Sequence, residues 1–110
     1  MEARAVHKYA RVTPRKVRRV IDLIKGKSAG DALISLRFMP YRAAKPVEKL
    51  LKSAMSNAEQ KKAADAEKLI VSKAFVDEGP SMKRMFPRAM GRTNIIRKRT
   101  SHITLYLEGD

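Results

Sequence analysis

The sequence of 110 residues contains no cysteine and no tryptophan, and its aromatic residues are three Tyr and three Phe. Without cysteine the chain can form no disulfide, no Cys-ligated zinc site and no thiol nucleophile, which fits a reducing cytosolic setting. It also lacks a run of the ~20 apolar residues that a membrane-spanning helix requires, and its N-terminus lacks the apolar core of a signal peptide. The sequence therefore predicts a soluble, cytoplasmic protein.

Acidic residues are missing from one long stretch of the chain. From Gly79 to Leu107 the sequence runs for 29 residues without Asp or Glu. The same stretch carries Lys83, Arg84, Arg88, Arg92, Arg97, Lys98 and Arg99. Because an ordinary solvated surface mixes both signs of charge, a stretch of one sign is more plausibly matched to a polyanion. Together with a formal net charge of +14, this pattern predicts nucleic acid as the partner.

Residues suited to catalysis or to metal binding are scarce. The two histidines, His7 and His102, both lie within strand patterns, and no spaced carboxylate pair accompanies them. A histidine in that setting more often donates to a phosphate or a 2′-OH, or is structural, than acts as a general base. Asp77 and Glu78 lack a third ligand and more often end a strand than hold a cation. We therefore expect no enzymatic activity, no metal and no cofactor.

Apolar periodicity predicts three helices in the first part of the chain. Thr13 followed by Pro14 is typical of a helix start, and apolar residues then recur at helical spacing up to Gly26. Ser28 with Asp31 resembles a capping box and starts a second helix that must end before residue 40. The third helix is expected from residue 42 to about residue 62. Arg15, Arg18 and Arg19 share the polar face of the first helix and repel one another unless an anion lies against them; the alternative is a solvated charged face.

Three segments have the composition and alternation of strands: residues 4–9, 69–76 and 102–107. The last two flank about 25 residues without apolar periodicity, which is unusual for a loop in a compact domain. A long hairpin that continues both strands outward explains this segment, with an irregular or edge-like distal part because Pro80 and Pro87 cannot donate to a ladder. The predicted fold class is α+β: a small three-stranded antiparallel sheet packed against three helices, with a long protruding β-hairpin. We expect a single domain, 1–110, with a globular part (1–78 and 101–110) and an arm (79–100).

The predicted arm is thin and basic, which suits folded RNA better than a smooth duplex. Its arginines offer planar forks that match phosphates and base edges. Phe86 is its one aromatic residue, and stacking on a base or packing with Met82, Met85 and Met90 both remain open. Two other functions are also open. One is a nucleic-acid-processing enzyme or chaperone that uses His102, and the other is a free-standing basic architectural protein that binds DNA.

Several runs of residues form a recognisable pattern. The second half of the chain contains Val76-Asp77-Glu78-Gly79-Pro80-Ser81-Met82-Lys83-Arg84, Pro87-Arg88-Ala89, Gly91-Arg92 and Lys98-Arg99-Thr100-Ser101-His102-Ile103-Thr104. The first half contains Ala10-Arg11-Val12-Thr13-Pro14-Arg15-Lys16-Val17-Arg18, Gly26-Lys27-Ser28, and Ser53-Ala54 with Asn57-Ala58. Together these runs resemble the family of the universal large-subunit ribosomal protein conventionally numbered twenty-two, in its bacterial type, over essentially the whole chain.

The resemblance implies a structural constituent of the large ribosomal subunit. It implies an α+β domain at the outer mouth of the nascent-peptide exit tunnel, and a hairpin that lines the tunnel wall. The implied partners are several domains of large-subunit ribosomal RNA, neighbouring large-subunit proteins and the nascent polypeptide, and an early role in subunit assembly is also implied. The implied RNA-binding residues are Arg11, Arg15, Lys16, Arg18, Arg19, Lys83, Arg84, Arg88, Arg92, Arg97, Lys98, Arg99, Ser101 and His102. The implied hairpin tip in the tunnel comprises Met82, Lys83, Arg84, Met85, Phe86, Pro87 and Arg88.

Overall fold

A computed structural model describes residues 2–63, 65–80, 82–87 and 93–109, with residues 82–87 and 93–98 described by their backbone. In this part of the chain the elements follow in the order β1 (Glu2–Ala10), α1 (Pro14–Ile24), α2 (Ala29–Phe38), α3 (Ala44–Gln60), a 3-10 turn (Ala66–Lys68), β2 (Ile70–Glu78), β3 (Met82–Pro87), β4 (Thr93–Lys98) and β5 (Ser101–Glu108). The described residues thus contain three helices and a three-stranded antiparallel sheet, which confirms the α+β class.

The three-stranded sheet has the order β1-β5-β2, and both pairs are antiparallel. The predicted pairing of the second and third strand segments is therefore confirmed. Every second residue of β5 is buried on the side of the helices, namely Ser101, Ile103, Leu105 and Leu107. Because side chains alternate across a strand, the residues between them face the other side of the sheet. The sheet consequently has one face covered by helices and one open face.

The helices pack on the covered face with their apolar stripes. In α1 the stripe consists of Val17, Val20, Ile21 and Ile24, each at most 1% exposed. The predicted start of α2 is confirmed, because the Asp31 N–H donates to Ser28 Oγ at 3.3 Å. The third helix is shorter at both ends than the 42–62 expected from its stripe. At its C-terminal end Lys62 adopts a left-handed backbone (φ 63°), which cannot continue a helix. None of the helices that the structure describes has the length and hydrophobicity to cross a bilayer.

The strands β3 and β4 form a separate two-stranded antiparallel ladder rather than a direct continuation of β2 and β5. The ladder runs in regular register from Met82 opposite Lys98 to Pro87 opposite Thr93. Pro87 belongs to the last pair of the ladder that the structure describes. At this end position the missing N–H of proline disturbs the ladder least. The Cα radius of gyration is 16.9 Å, against about 13 Å for a compact domain of this length, and this elongation agrees with a protruding hairpin. The division into globular part and arm stays a prediction.

Candidate nucleic-acid interface

The first group of predicted RNA-binding residues lies on the exposed face of α1. Arg15, Lys16, Arg18 and Arg19 are all exposed. They alternate with buried residues of the same helix because a period of 3.6 residues places the two sets on opposite sides. Arg11 is exposed in the turn that leads from β1 into this helix. All five cations before residue 20 that were predicted to bind RNA are therefore exposed on α1 or in the turn before it, and we call this surface the α1 face.

One cation of the α1 face also has a structural contact. The Arg18 guanidinium donates through Nη2 to the backbone oxygen of Val76 at 3.0 Å. Val76 lies near the end of β2, two residues before the strand gives way to the hairpin. A guanidinium carries five donors, so a single contact to a carbonyl leaves others for a phosphate. Arg18 thus joins the α1 face to the base of the hairpin.

Arg19 lies over the ring of Tyr41, with its guanidinium carbon 5.3 Å from the ring centroid. This is the geometry of a cation–π contact, which holds the cation in place at an exposed site with about 0.5–1 kcal/mol. Tyr41 precedes α3 and is partly exposed. No local pattern predicted this contact, since residue 41 lies outside every apolar repeat.

The base of the hairpin is closed by contacts between the end of β2 and the start of β5. The Gly79 N–H donates to the Thr100 oxygen at 2.9 Å, and Thr100 Oγ1 donates to the Pro80 oxygen at 2.7 Å. Arg99 approaches Glu78 at 3.8 Å, a pair that is exposed on both sides and so contributes little to stability. This base fixes where the two arms of the hairpin leave the sheet.

Two residues predicted to bind RNA, Ser101 and His102, follow the base directly. Ser101 is fully buried, and its hydroxyl donates to the Val12 oxygen. Direct contact of Ser101 with RNA stays a prediction, and the burial of this residue argues against such a contact. His102 is half-buried, and its Nδ1 accepts a hydrogen bond from the Tyr9 N–H at 3.1 Å. A neutral imidazole that accepts at Nδ1 carries its proton on Nε2, so the donor of this ring is Nε2.

Tyr9 reaches His102 because β1 is irregular at this point. The register with β5 shifts between His7 and Ala10, and Tyr9 has a left-handed backbone with φ 61°. A non-glycine residue rarely takes this conformation. It turns the Tyr9 N–H toward the imidazole. The residue is 62% exposed, and its ring lies edge-on to His102 at 4.9 Å between centroids.

The remaining predicted residues lie on the hairpin itself. In the β3–β4 register Lys83 stands directly opposite Arg97, and Met82 stands opposite Lys98. Like charges placed opposite each other destabilise a ladder, so this pairing favours an anion nearby. Arg84 to Pro87 continue β3. Arg88 and Arg92 lie outside the described residues.

The open face of the sheet carries an aromatic pair that the sequence did not suggest. The rings of Phe75 and Tyr106 meet edge to face with centroids 6.1 Å apart, and Phe75 is 51% exposed. Arg4 and Lys73 stand opposite Tyr106 in the two neighbouring strands. Both aromatic residues occupy outward positions of their strands. The alternation of the two strands therefore predicts that they share the open face, but only once the pairing of β2 with β5 is known.

The close fit around Gly79 leads to a testable prediction for stability. A Cβ atom at this residue would collide with Thr100 Oγ1 and lie 3.3 Å from the His102 ring. We expect Gly79→Ala to lower the free energy of unfolding by about 1–3 kcal/mol, because overpacked sites must shift their neighbours. Urea denaturation followed by circular dichroism measures this change.

Gly30 provides the matched control for that substitution. It lies in the first turn of α2, and a Cβ there would meet atoms of Glu67 no closer than 3.5 Å. Because alanine restricts the unfolded chain more than glycine does, Gly30→Ala should be neutral or stabilising by about 0.4–1 kcal/mol. Equal effects at both glycines would contradict the packing seen at the hairpin base.

The chain is similar to known proteins along nearly its whole length. The sequence model of the family described as Ribosomal protein L22p/L17e matches residues 5–108. A protein of Halothermothrix orenii named large ribosomal subunit protein uL22 is 59% identical over 105 residues, covering 96% of this chain and 93% of that protein. Proteins of the same name are 57% identical in Desulforamulus reducens, over 96% of this chain and 93% of the relative, and 56% identical in Thermoanaerobacter pseudethanolicus, over 98% and 97%.

Proposed function

The chain belongs to the ribosomal protein L22p/L17e family, and we propose that it binds ribosomal RNA through the α1 face and the hairpin. As a member of this family it is a structural constituent of the large ribosomal subunit, cytoplasmic, and not an enzyme. We further propose that it contacts several domains of the RNA and assists early assembly of the subunit. In this proposal its hairpin lines the nascent-peptide exit tunnel and meets the nascent polypeptide.

The observation that carries the proposal is the arrangement of the cations. The α1 face presents exposed cations at a spacing that leaves them mutually repelling. The hairpin ladder places Lys83 opposite Arg97 within a stretch that lacks acidic residues. Both arrangements cost free energy in the isolated chain and are relieved when phosphates lie alongside. Two such sites on one small protein suit an RNA that is folded around it.

The contact of Arg18 with Val76 supports a joint role for these two sites. It fixes the α1 face relative to the end of β2, from which the hairpin departs. A basic surface that is joined to the base of a basic arm can reach separate segments of RNA at the same time. A protein that bridges several RNA domains requires two such binding sites. A protein that binds RNA in a single groove would need neither the helix surface nor the arm.

The geometry of the hairpin supports a place in the tunnel wall. Each of its strands contributes six residues to the described ladder, and a two-stranded ribbon is thin enough to enter a crevice. Such a ribbon is only marginally stable in water without further contacts, so its surroundings in the subunit would supply the missing packing. Met82 to Pro87, with Arg88 beyond them, are the residues that we assign to the tunnel tip.

The RNA-binding role of the α1 face is tested by removing two of its cations that have no part in other contacts described above. We expect the double variant Arg11→Gln, Arg15→Gln to bind a folded large-subunit RNA transcript more weakly. The slope of log affinity against log salt should become shallower by about 1.4–1.8, because each lost phosphate contact removes about 0.7–0.9. Filter binding at several salt concentrations measures this slope.

The matched control is Lys45→Gln, Lys49→Gln, which removes the same charge from the exposed surface of α3. It should change the slope much less, because α3 mixes both signs of charge and pairs Glu48 with Lys52 at 3.5 Å. Equal slopes for the two double variants would contradict a role for the α1 face. Equal affinity of the unchanged chain for duplex DNA and for the RNA would instead favour a free-standing architectural protein.

A further inference from the structure

A small hollow lies beside the α1 face, where the helix meets the segment that leads into α3. It has a volume of about 150 Å³ and is lined by Lys16, Arg19, Tyr41 and Ala43. A cavity of about this size accommodates one benzene-sized ring. Two of its four lining side chains are cations, and a third is aromatic. The combination of a ring-sized volume, positive charge and an aromatic wall limits what can occupy it.

We propose that this hollow binds one unpaired nucleotide of ribosomal RNA, with the phosphate held by Lys16 and Arg19 and the base placed against the Tyr41–Arg19 stack. The proposal rests on the proposed function, since it names a specific subsite for the RNA that the α1 face contacts. It adds Tyr41, which neither charge nor family motif had singled out, as a recognition residue. It also gives Arg19 a role distinct from that of its neighbours.

The hollow is held in shape before any ligand arrives. The Ala44 N–H donates to the Tyr41 oxygen at 3.1 Å, which fixes the turn that carries the ring at the start of α3. Ala43 is 2% exposed and forms part of the floor. Arg19 already lies over the ring at 5.3 Å, so little of its side-chain freedom remains to be lost on binding. Preorganisation of this kind raises affinity by lowering the entropic cost of binding.

The chemistry of the lining favours a nucleotide over other anions. A free phosphate would use the cations but would leave the aromatic wall without a role. The Asp and Glu side chains of an acidic peptide would meet the cations with carboxylates but have no flat ring to stack. Unstacked bases of RNA are bound on aromatic rings and on guanidinium planes, and this hollow offers both. In an unpaired nucleotide the phosphate uses the charge of Lys16 and Arg19, and the base alone uses the aromatic wall and the ring-sized volume.

The proposal is tested with the full-length chain and a folded large-subunit RNA transcript. Tyr41→Ala keeps every charge, so it should lower affinity by about tenfold through lost stacking while the salt slope stays unchanged. Tyr41→Phe keeps the ring and should bind within about twofold of the unchanged chain. Arg19→Lys keeps the charge but loses the planar fork and should resemble Tyr41→Ala. Thermal melts by circular dichroism establish that each variant folds.

Dimethyl sulfate probing of the RNA provides a second readout that general electrostatics would not alter. We expect the unchanged chain to protect an unpaired base that becomes reactive again with Tyr41→Ala, while Lys49→Ala on α3 leaves it protected. Unchanged affinity and an unchanged protection pattern for a folded Tyr41→Ala variant would overturn the proposal and leave the RNA-binding function standing. Failure of the unchanged chain to prefer this RNA over duplex DNA would overturn the proposed function itself.

Discussion

Replacement of residues 83–97 by an Asn-Gly turn is expected to leave the globular part folded while removing selective binding to large-subunit RNA. The β3–β4 register sets these boundaries, because Met82 pairs with Lys98 and a two-residue turn can join that pair directly. The replacement removes five of the hairpin's cations, at positions 83, 84, 88, 92 and 97. The salt slope should therefore become shallower by about 3.5–4.5. The ratio of the affinity for this RNA to the affinity for duplex DNA should fall toward one.

A second variant separates the length of the hairpin from its charge. It keeps every residue of the arm except for the substitutions Lys83→Gln, Arg84→Gln, Arg88→Gln, Arg92→Gln and Arg97→Gln. If shape contributes to recognition, this variant should lose the same salt slope but retain some preference for the RNA. A shortened chain that folds and still binds with unchanged slope and selectivity would place recognition in the α1 face alone.

Leu105→Ala is expected to lower the free energy of unfolding by about 3–5 kcal/mol. Leu105 is fully buried in the central strand of the sheet, and its neighbours in register are Ala5 on one side and Ala74 on the other. Substitution would leave three alanines in a row beneath the helices. Because short side chains cannot move in to fill the space, the decrease in the free energy of unfolding should lie in the upper part of the range for Leu→Ala substitutions at buried sites.

Thr104→Ala is the control within the same strand. Thr104 faces the open side of the sheet and is half-buried, so its replacement should cost at most about 1 kcal/mol. Urea titration of both variants by circular dichroism gives the comparison. A cost for Leu105→Ala no larger than that for Thr104→Ala would contradict the assignment of the covered face.

The elements that sequence reasoning predicted are those with strong local patterns. The Thr13-Pro14 start and the apolar repeat of α1 depend on residues within one helix, and the alternation of β5 depends on residues within one strand. Such patterns reflect the side-chain periods of helix and strand and need no knowledge of the partner element. Their faces followed as well, which is why Arg15, Arg18 and Arg19 were predicted to lie on the polar face of α1.

The contacts that escaped the sequence join distant parts of the chain. Arg18 to Val76, Ser101 to Val12 and Tyr9 to His102 are separated by 58, 89 and 93 residues. No local pattern signals them, because each depends on how α1 and β1 sit against the end of the sheet. The left-handed backbone of Tyr9 lies where the register of β1 with β5 shifts, an irregularity that strand propensity does not reveal. The hollow beside Tyr41 was not predicted either, because it forms only where α1 meets the segment that leads into α3.

RNA binding by the α1 face and the hairpin is tested most directly by mapping where the protein touches RNA in assembled large subunits. Since the chain has no cysteine, single cysteines introduced by Arg15→Cys, Phe86→Cys and Lys49→Cys can each carry a tethered iron chelate that cleaves nearby RNA. If the α1 face and the hairpin both bind RNA, cleavage should be strong from position 15 and from position 86, in separate segments of the ribosomal RNA, and weaker from position 49. Absence of cleavage from positions 15 and 86 in subunits that contain the protein would contradict RNA binding by these two sites.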